Sequence, residues 1–167
     1  TSGSTQTMKL NAIILAVLML SSCVLTAADV GDRLPDFVLK DLRGHHVAWN
    51  RFRGKVVVLN LWMTTCPPCR NEMPAIQKAY DTYKSQGFEV WGVNVAETPD
   101  QVQAYMKQLG LNFNMVLDPD SKVSHQYHVF GLPTSVFVGR DGVIREVIVG
   151  EMGENSLDAN LMKLVRQ

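Results

Sequence analysis

The stretch "MTTCPPCRNEMP" contains the residues of this sequence best suited to chemistry, Cys66 and Cys69. Two cysteines separated by two residues can bind a metal ion, form a structural disulfide or exchange disulfides with other proteins. A structural disulfide here would close a very small loop and would add little stability through chain entropy. The flanking residues must therefore distinguish a metal site from a reactive thiol pair.

The two residues between the cysteines indicate that a helix begins at this point. Pro67 and Pro68 fit the first helical turn, where amide hydrogens have no helical partner and proline is tolerated. A thiolate of Cys66 at that helix N-terminus is stabilised by free amides and the helix dipole, so its pKa falls. Cys69 lies one turn into the helix, where it can reach Cys66 but is expected to be less exposed. An accessible thiolate with a second thiol in reach is what thiol–disulfide exchange requires.

Two carboxylates and one proline are placed where they can affect such a pair. Glu72 lies one turn beyond Cys69, and Glu97 follows a predicted strand at its carboxyl end. A carboxylate near thiols raises their pKa and can accept or donate the exchanged proton. Spacing alone favours a solvated Glu72 on the helix face and a Glu97 in a loop. Pro133, in "GLPT", precedes another strand, and base rates favour a trans peptide bond there.

Strands alternate with helices and then end in a hairpin, which predicts an α/β fold with a mixed sheet covered by helices on both faces. The predicted strands are 37–39, 47–49, 55–62, 88–95, 114–117, 134–138 and 143–149, and the predicted helices are 70–86, 98–110, 121–127 and 154–165. Asn50 is expected to cap a single helical turn that ends at Gly54. Sites in such sheets lie at the carboxyl ends of the parallel strands, which is where Cys66 follows strand 55–62.

Residues 1–28 are interpreted as a leader followed by a signal, lipoprotein or anchor segment. The apolar run 12–20, "AIILAVLML", is shorter than the roughly 20 residues of a membrane-spanning helix and has the size of a signal-peptide core. Cys23 in "LSSC" is a candidate for lipidation, while cleavage after "TAA" and an uncleaved anchor are the alternatives. Under each alternative, residues 29–167 form one domain that is exported to the far side of a membrane. That compartment is oxidising, so disulfides can persist there.

Charge and composition limit the function further. The 167 residues include 16 Lys+Arg and 16 Asp+Glu, for a formal net charge of +0. The length predicts one domain, and a neutral chain offers no field that would attract nucleic acid. We expect no nucleic-acid partner, no cofactor, no resident metal and a monomer.

Several stretches together resemble the thioredoxin superfamily and, within it, the TlpA/ResA-like extracytoplasmic thiol–disulfide oxidoreductases. They are "GDRLPDFVLKDLRGHHV", "FRGKVVVLNLW", "CPPCRNEMP", "VWGVNVAET" and "VLDPDSKVSHQYHVFGLPTSVFVGRDGVI", preceded by the signal-like N-terminus. The similarity extends over essentially all of residues 31–167. It implies a thioredoxin-like fold with an N-terminal β-hairpin and an inserted strand–helix element around residues 88–117.

The resemblance also implies roles for the thiol pair and for the proline loop. Cys66 corresponds to the nucleophile and Cys69 to the resolving thiol, and together they form the redox-active disulfide. Pro133 corresponds to a cis-proline that faces this disulfide. The backbone of Leu132 would pair with an extended segment of the substrate, a form of strand addition.

Four further positions carry weaker implications. Trp62 and Pro67 are expected to complete the substrate-binding set around the cysteines. Glu72 and Glu97 match acidic positions that lie close to the active-site pair in ResA-like proteins. The family usually has an aromatic residue, generally Trp, immediately before the first cysteine, whereas this chain has Thr65. That departure affects the redox potential and the choice of partner.

The best-known role of the family is to reduce disulfides in exported proteins. Its main substrate is the haem-binding cysteine pair of apocytochrome c, which must be a dithiol before haem attaches. The electrons come from a membrane donor of the CcdA/DsbD type. This resemblance predicts a membrane-tethered or exported protein-disulfide reductase at the outer face of the cytoplasmic membrane or in the periplasm.

Three other functions use related structures. A peroxiredoxin usually has Thr or Ser three residues before its reactive cysteine, where this chain has Met63. A Sco-like copper-binding module would use the cysteines with a histidine such as His125 or His128, although its two cysteines are separated by three residues. A disulfide-forming oxidase has the same cysteines with the opposite electron flow. The direction of electron flow depends on the reduction potential, which ranges from about −270 mV for thioredoxin to about −120 mV for DsbA. The sequence does not determine this potential.

Overall fold

The computed structural model describes residues 29–166, whose strands join in one seven-stranded mixed sheet. The strands are β1 Val38–Asp41, β2 His46–Ala48, β3 Val56–Trp62, β4 Phe88–Val95, β5 Asn114–Asp118, β6 Thr134–Val138 and β7 Ile144–Val149. Their order in space is β2-β1-β5-β4-β3-β6-β7. Residues 1–28, with Cys23 and the predicted leader or anchor, lie outside the described part of the chain.

Within residues 29–166, three α-helices and two short 3-10 helices connect the strands, and a fourth α-helix follows the last strand. They are α1 Pro67–Tyr83, α2 Pro99–Leu109, α3 Lys122–Gln126 and α4 Glu154–Val165, with 3-10 turns at Trp49–Phe52 and Lys84–Gln86. Helix α2 begins with a capping box in which Thr98 and Gln101 satisfy each other's free amides. Within residues 29–166, none of these helices has the length and apolar character that crossing a membrane requires.

The apolar sequence of β3 places this strand at the centre of the sheet. All seven of its residues are buried. It pairs in parallel with β4 on one side and antiparallel with β6 on the other. Because β3 and β4 are parallel, their carboxyl ends meet at one edge of the sheet. Cys66 and Glu97 follow the two strands at that edge.

Alternating residues of β3 supply two cores, one on each face of the sheet. Val56, Val58 and Trp62 pack with residues of α1, α2 and α4. Val57, Leu59 and Leu61 pack on the opposite face with the 3-10 turn at Trp49–Phe52, with residues of the N-terminal hairpin and with Val123 of α3. Helices therefore cover both faces, which explains why the strand is apolar throughout.

The predicted fold class is confirmed, including the N-terminal hairpin, in which β1 and β2 pair antiparallel. The segment expected to contain the inserted element holds β4, α2 and β5, a parallel strand–helix–strand unit. The predicted cap at Asn50 is wrong. The N-cap is Ala48, two residues before Asn50, the helical turn begins at Trp49, and no side chain caps it.

Candidate active site

The two cysteines form a disulfide at the N-terminus of α1. Cys66 is the N-cap residue, and its Sγ accepts a hydrogen bond from the Cys69 N–H at 3.3 Å. Their Cα atoms are 5.3 Å apart. Cys66 is partly exposed, whereas Cys69 is fully buried. Of the two sulfurs, that of Cys66 is therefore the one that another molecule can reach. It can be attacked when the disulfide is closed, and it can attack when it is a thiolate.

Glu97 holds the loop that joins β3 to Cys66. Its Oε2 accepts the Thr64 N–H at 2.8 Å, and its Oε1 accepts the Thr64 hydroxyl at 2.6 Å. The side-chain amide of Asn94, at the end of β4, also donates to Oε2, at 2.6 Å. Glu97 is only 8% exposed. Its carboxylate thus ties a residue two positions before Cys66 to the neighbouring strand.

Glu72 lies on the buried side of α1 and is hydrogen-bonded to two other parts of the fold, one of which connects it to a third. Its Oε1 accepts a hydrogen bond from Asn60 Nδ2 of β3 at 2.7 Å, and its Oε2 accepts the Met152 N–H, just before α4, at 2.9 Å. Asn60 Nδ2 also donates to Ser135 Oγ of β6 at 2.9 Å. Glu72 and Cys69 are three residues apart on one helix, which separates their Cβ atoms by about 5–6 Å.

The surroundings of Glu72 shift its titration. Burial raises the pKa of the Glu72 carboxyl above its ordinary value, because a poorly polar environment disfavours the charge. The hydrogen bonds from Met152 and Asn60 act in the opposite direction, and the negative charge of Glu151 adds to the increase in pKa. A buried carboxyl with a raised pKa beside a thiol pair is suited to exchanging protons with it.

The loop before β6 lies across from the cysteine loop. The Leu132–Pro133 peptide bond is cis, in agreement with the resemblance and against the base rate. Leu61 of β3 pairs with Thr134 of β6, so the antiparallel register places residues 132–133 opposite residues 62–63. Within residues 29–166, neither the N–H nor the carbonyl of Leu132 bonds to another backbone group, whereas the Pro133 carbonyl accepts the Gly150 N–H at 2.8 Å.

The structure separates the other two expected substrate-binding residues. Pro67 is exposed beside Cys66 at the start of α1. Trp62 is 0% exposed and packs on Tyr105 with ring centroids 5.4 Å apart. The expectation that Trp62 contacts substrate is therefore corrected: its ring supports the site from beneath, because a chain docking on the surface cannot reach it. Thr65, in the usual place of the aromatic residue, is exposed.

Four residues of the site were not expected from the sequence. Asn60 and Ser135 are polar residues within otherwise apolar strands, 0% and 1% exposed, and that interruption of the apolar pattern was an available signal. Phe130 is 95% exposed and Val149 is 67% exposed. Both flank the proline loop, since Val149 pairs with Thr134, and their exposure has no signature in the sequence.

The histidines of the copper alternative are exposed. His125 lies on α3 and His128 just after it, both at the surface. In the described part of the chain, no group of three or more His, Cys, Asp or Glu side chains is arranged to hold a metal ion.

Within residues 29–166, the one pair of cysteines lies at the start of a helix, with one sulfur accessible and the other enclosed. This asymmetry, on a mixed sheet with a cis-proline loop opposite the pair, is that of a thioredoxin-like thiol–disulfide oxidoreductase. The chain belongs to the AhpC/TSA family, whose model matches residues 30–147.

Two relatives and two solved structures agree with this assignment. The chain is 40% identical over 136 residues to the thiol-disulfide oxidoreductase ResA of Geobacillus kaustophilus, covering 81% of this chain and 78% of that protein. It is 38% identical to ResA of Bacillus subtilis, covering 81% and 75%. A thiol:disulfide interchange protein of the thioredoxin family from Chlorobium tepidum superposes with a TM-score of 0.74 at 26% identity, covering 83% and 99%. The thioredoxin domain of a thiol-disulfide oxidoreductase from Bacteroides vulgatus gives 0.73 at 28% identity, covering 82% and 98%.

Proposed function

We propose that this oxidoreductase works as a reductant of disulfides in exported polypeptides. The observation that carries the proposal is the buried carboxyl of Glu72, one helical turn from Cys69. A carboxylate at this distance opposes formation of a thiolate, so it makes the dithiol form less stable relative to the disulfide. Strong oxidants of this fold have the opposite property, a stabilised reduced form. The site therefore favours giving electrons away.

The reaction proceeds in two exchanges. The Cys66 thiolate attacks one sulfur of the substrate disulfide, which forms a mixed disulfide and releases the first substrate thiolate. The Cys69 thiol then loses its proton and attacks the Cys66 sulfur, which closes the Cys66–Cys69 disulfide and releases the second substrate thiolate. Two electrons pass from the protein to the substrate, and the two substrate thiolates take up two protons. Glu72 is the group placed to accept the proton that Cys69 loses.

The substrate segment would dock in extended form along Leu132. The unpaired backbone N–H and carbonyl of this residue can form main-chain hydrogen bonds with it, as an added strand does. Pro133 and Pro67 would contact the segment on either side of Cys66. The exposed side chains of Phe130 and Val149 extend this edge as an apolar surface. Such a surface suits an unfolded polypeptide that carries apolar residues near its cysteines.

The resemblance to ResA-like proteins is the support for the compartment and the partners proposed next. The protein would act outside the cytoplasm, exported or tethered by an N-terminal anchor or a lipid on Cys23. Apocytochrome c is the first substrate to test. Re-reduction of the Cys66–Cys69 disulfide after each cycle requires a source of two electrons, for which a membrane donor of the CcdA/DsbD type is suited.

The reduction potential of the Cys66–Cys69 couple tests the electron direction. The full chain is equilibrated against a dithiol redox buffer, and the thiols are trapped and counted. A potential near or below that of thioredoxin, about −270 mV, is expected for a reductant. A value near that of DsbA, about −120 mV, would show that the protein forms disulfides instead.

A further inference from the structure

Asn60 has an arrangement that the proposed reaction does not explain. It lies in the middle of the apolar strand β3 and is 0% exposed. Both hydrogens of its side-chain amide are used, one on Glu72 Oε1 at 2.7 Å and one on Ser135 Oγ at 2.9 Å. Its carbonyl oxygen, Oδ1, has no hydrogen-bond partner within residues 29–166. A buried acceptor left unpaired is costly, so its retention needs a reason.

The spare acceptor becomes useful when Glu72 carries a proton. A carboxylate only accepts hydrogen bonds, whereas a protonated carboxyl must donate one. A half-turn of the Asn60 amide exchanges Oδ1 and Nδ2, which brings Oδ1 to the position now held by Nδ2. Oδ1 has two lone pairs, and it would then accept from the Glu72 carboxyl and from the Ser135 hydroxyl together. The Glu72 carboxyl and the Ser135 hydroxyl each have the Asn60 side chain as a partner in both states, while Nδ2 takes the place that Oδ1 now occupies.

We propose that Asn60 and Ser135 are positioning residues that serve Glu72 in both of its protonation states, with the Asn60 amide turning over as Glu72 gains or loses its proton. The inference rests on the proposed function only for the use of that proton, which Cys69 supplies when it closes the disulfide. Asn60 and Ser135 touch neither the sulfurs nor the substrate, and they act through Glu72.

The groups that face Glu72 allow this assignment. Strands β3 and β6 present Asn60 and Ser135, which are uncharged, and α1 presents Cys69. The loop before α4 presents the Met152 N–H, which donates whichever state Glu72 is in, and the charge of Glu151. Glu151 is exposed and accepts a hydrogen bond from Asn71 at 3.0 Å. Among the residues that the structure describes, Asn60 is the one side chain hydrogen-bonded to Glu72, and it has both a donor and an acceptor to offer.

Titration of Glu72 in the full chain, in the disulfide form and without substrate, tests the proposal. Carboxyl-labelled glutamate is followed by ¹³C NMR against pH, and the Glu72 signal is identified by its loss in Glu72→Gln. Asn60→Leu removes donor and acceptor at similar volume, and the bond to a charged group is the stronger one lost. The midpoint of Glu72 should therefore rise by about one to two pH units. Ser135→Ala should raise it by less.

Asn94→Leu is the matched control. Asn94 is also a buried asparagine on a central strand, 0% exposed, but it donates to Glu97. This variant should leave the Glu72 midpoint in place. An unchanged midpoint in folded Asn60→Leu, or an equal change in Asn94→Leu, would overturn the proposal.

The side-chain amide of Asn60 gives a second readout in the unmodified protein, which remains available if Asn60→Leu does not fold. Its two N–H signals should shift together at the Glu72 midpoint, because both hydrogens leave their acceptors, Glu72 Oε1 and Ser135 Oγ, when the amide turns. Signals that do not respond to that midpoint would contradict the turnover. Since neither titration involves catalysis, failure of disulfide reduction in a separate assay would count against the proposed function and leave this inference standing.

Discussion

The two buried glutamates of the site differ in what they hold. Glu97 receives three hydrogen bonds, two of them from Thr64, and thereby fixes the backbone just before Cys66. Glu72 receives two, one from the Met152 backbone and one from the Asn60 side chain, whose own acceptor is spare. Each carboxyl accepts a backbone N–H and the side-chain amide of an asparagine whose own Oδ1 has no hydrogen-bond partner within residues 29–166. The two therefore differ in position: Glu97 holds the loop before Cys66, whereas Glu72 lies one turn from Cys69 on α1 and has a pKa raised by burial. The comparison assigns geometry to one carboxyl and proton exchange to the other.

Both glutamates are proposed to act on the Cys66–Cys69 disulfide. Replacing the cysteines themselves is therefore expected to have the largest effect on disulfide exchange. Cys66→Ser should abolish reduction of polypeptide disulfides, because the attacking thiolate is lost. Cys69→Ser should instead accumulate mixed disulfides, which nothing now resolves. The measurement is non-reducing electrophoresis after acid trapping. Cys23→Ser, the third cysteine of the chain, is the control and should reduce the same substrates in vitro at the original rate.

Replacing Glu97 tests the geometric half of the comparison. Glu97→Leu leaves the Thr64 N–H and the Asn94 amide buried without an acceptor, so the free energy of unfolding should fall by about 1–3 kcal/mol per unpaired group. Exchange should slow at every pH, because the cysteine loop loses its fixed position. Urea unfolding and a pH series of reduction rates measure the two effects. A shift of the pH optimum with unchanged stability would give Glu97 the proton role instead.

The proton half of the comparison predicts how stability depends on pH. Since burial raises the Glu72 pKa in the folded protein, the folded state binds more protons than the unfolded state above the unfolded value of 4.5. The contribution of the Glu72 carboxyl to the free energy of unfolding is fully present below pH 4.5 and is lost as pH rises through the folded pKa. Within this window, stability should fall by about 1.4 kcal/mol per pH unit from this group.

Glu72→Gln removes that titration. The difference in unfolding free energy between wild type and Glu72→Gln, measured in urea at several pH values, should slope across the window and become flat beyond it. Glu97→Gln is the matched comparison. A slope of the same size from Glu97→Gln, with none from Glu72→Gln, would reverse the two assignments.

The sequence predicts the fold well because its signals are local. The apolar run of β3, the capping box at Thr98 and the prolines after Cys66 each specify their own element. The positions of the two glutamates near the site were also expected, but their distinct surroundings were not, because the partners of Glu72 come from β3 and from the loop before α4. Trp62 was misplaced for a related reason. Only the tertiary structure shows that α2 covers its ring with Tyr105.

The smallest predicted effect lies outside both carboxyl regions, at the exposed edge of the proline loop. Phe130 is 95% exposed, and Gly131 next to it leaves room for the neighbouring Val149 side chain. Burying part of an aromatic ring against a substrate contributes about 1 kcal/mol, which corresponds to roughly fivefold in kcat/KM. Phe130→Ser should therefore slow reduction of a disulfide peptide that has leucine beside its cysteine. It should not slow reduction of a small disulfide such as oxidised hydroxyethanethiol.

Met162→Ser is the control for this last comparison, since Met162 is an apolar residue exposed on α4 and should affect neither substrate. Equal losses on the peptide and on the small disulfide would mean that Phe130 supports the loop rather than the substrate. A lower reduction rate with the peptide alone, and an unchanged pH profile, would show that Phe130 contributes to substrate recognition. That role would be independent of the two buried carboxyls. The positions of the groups predict that result, because Glu72 and Glu97 are buried while Phe130 is 95% exposed.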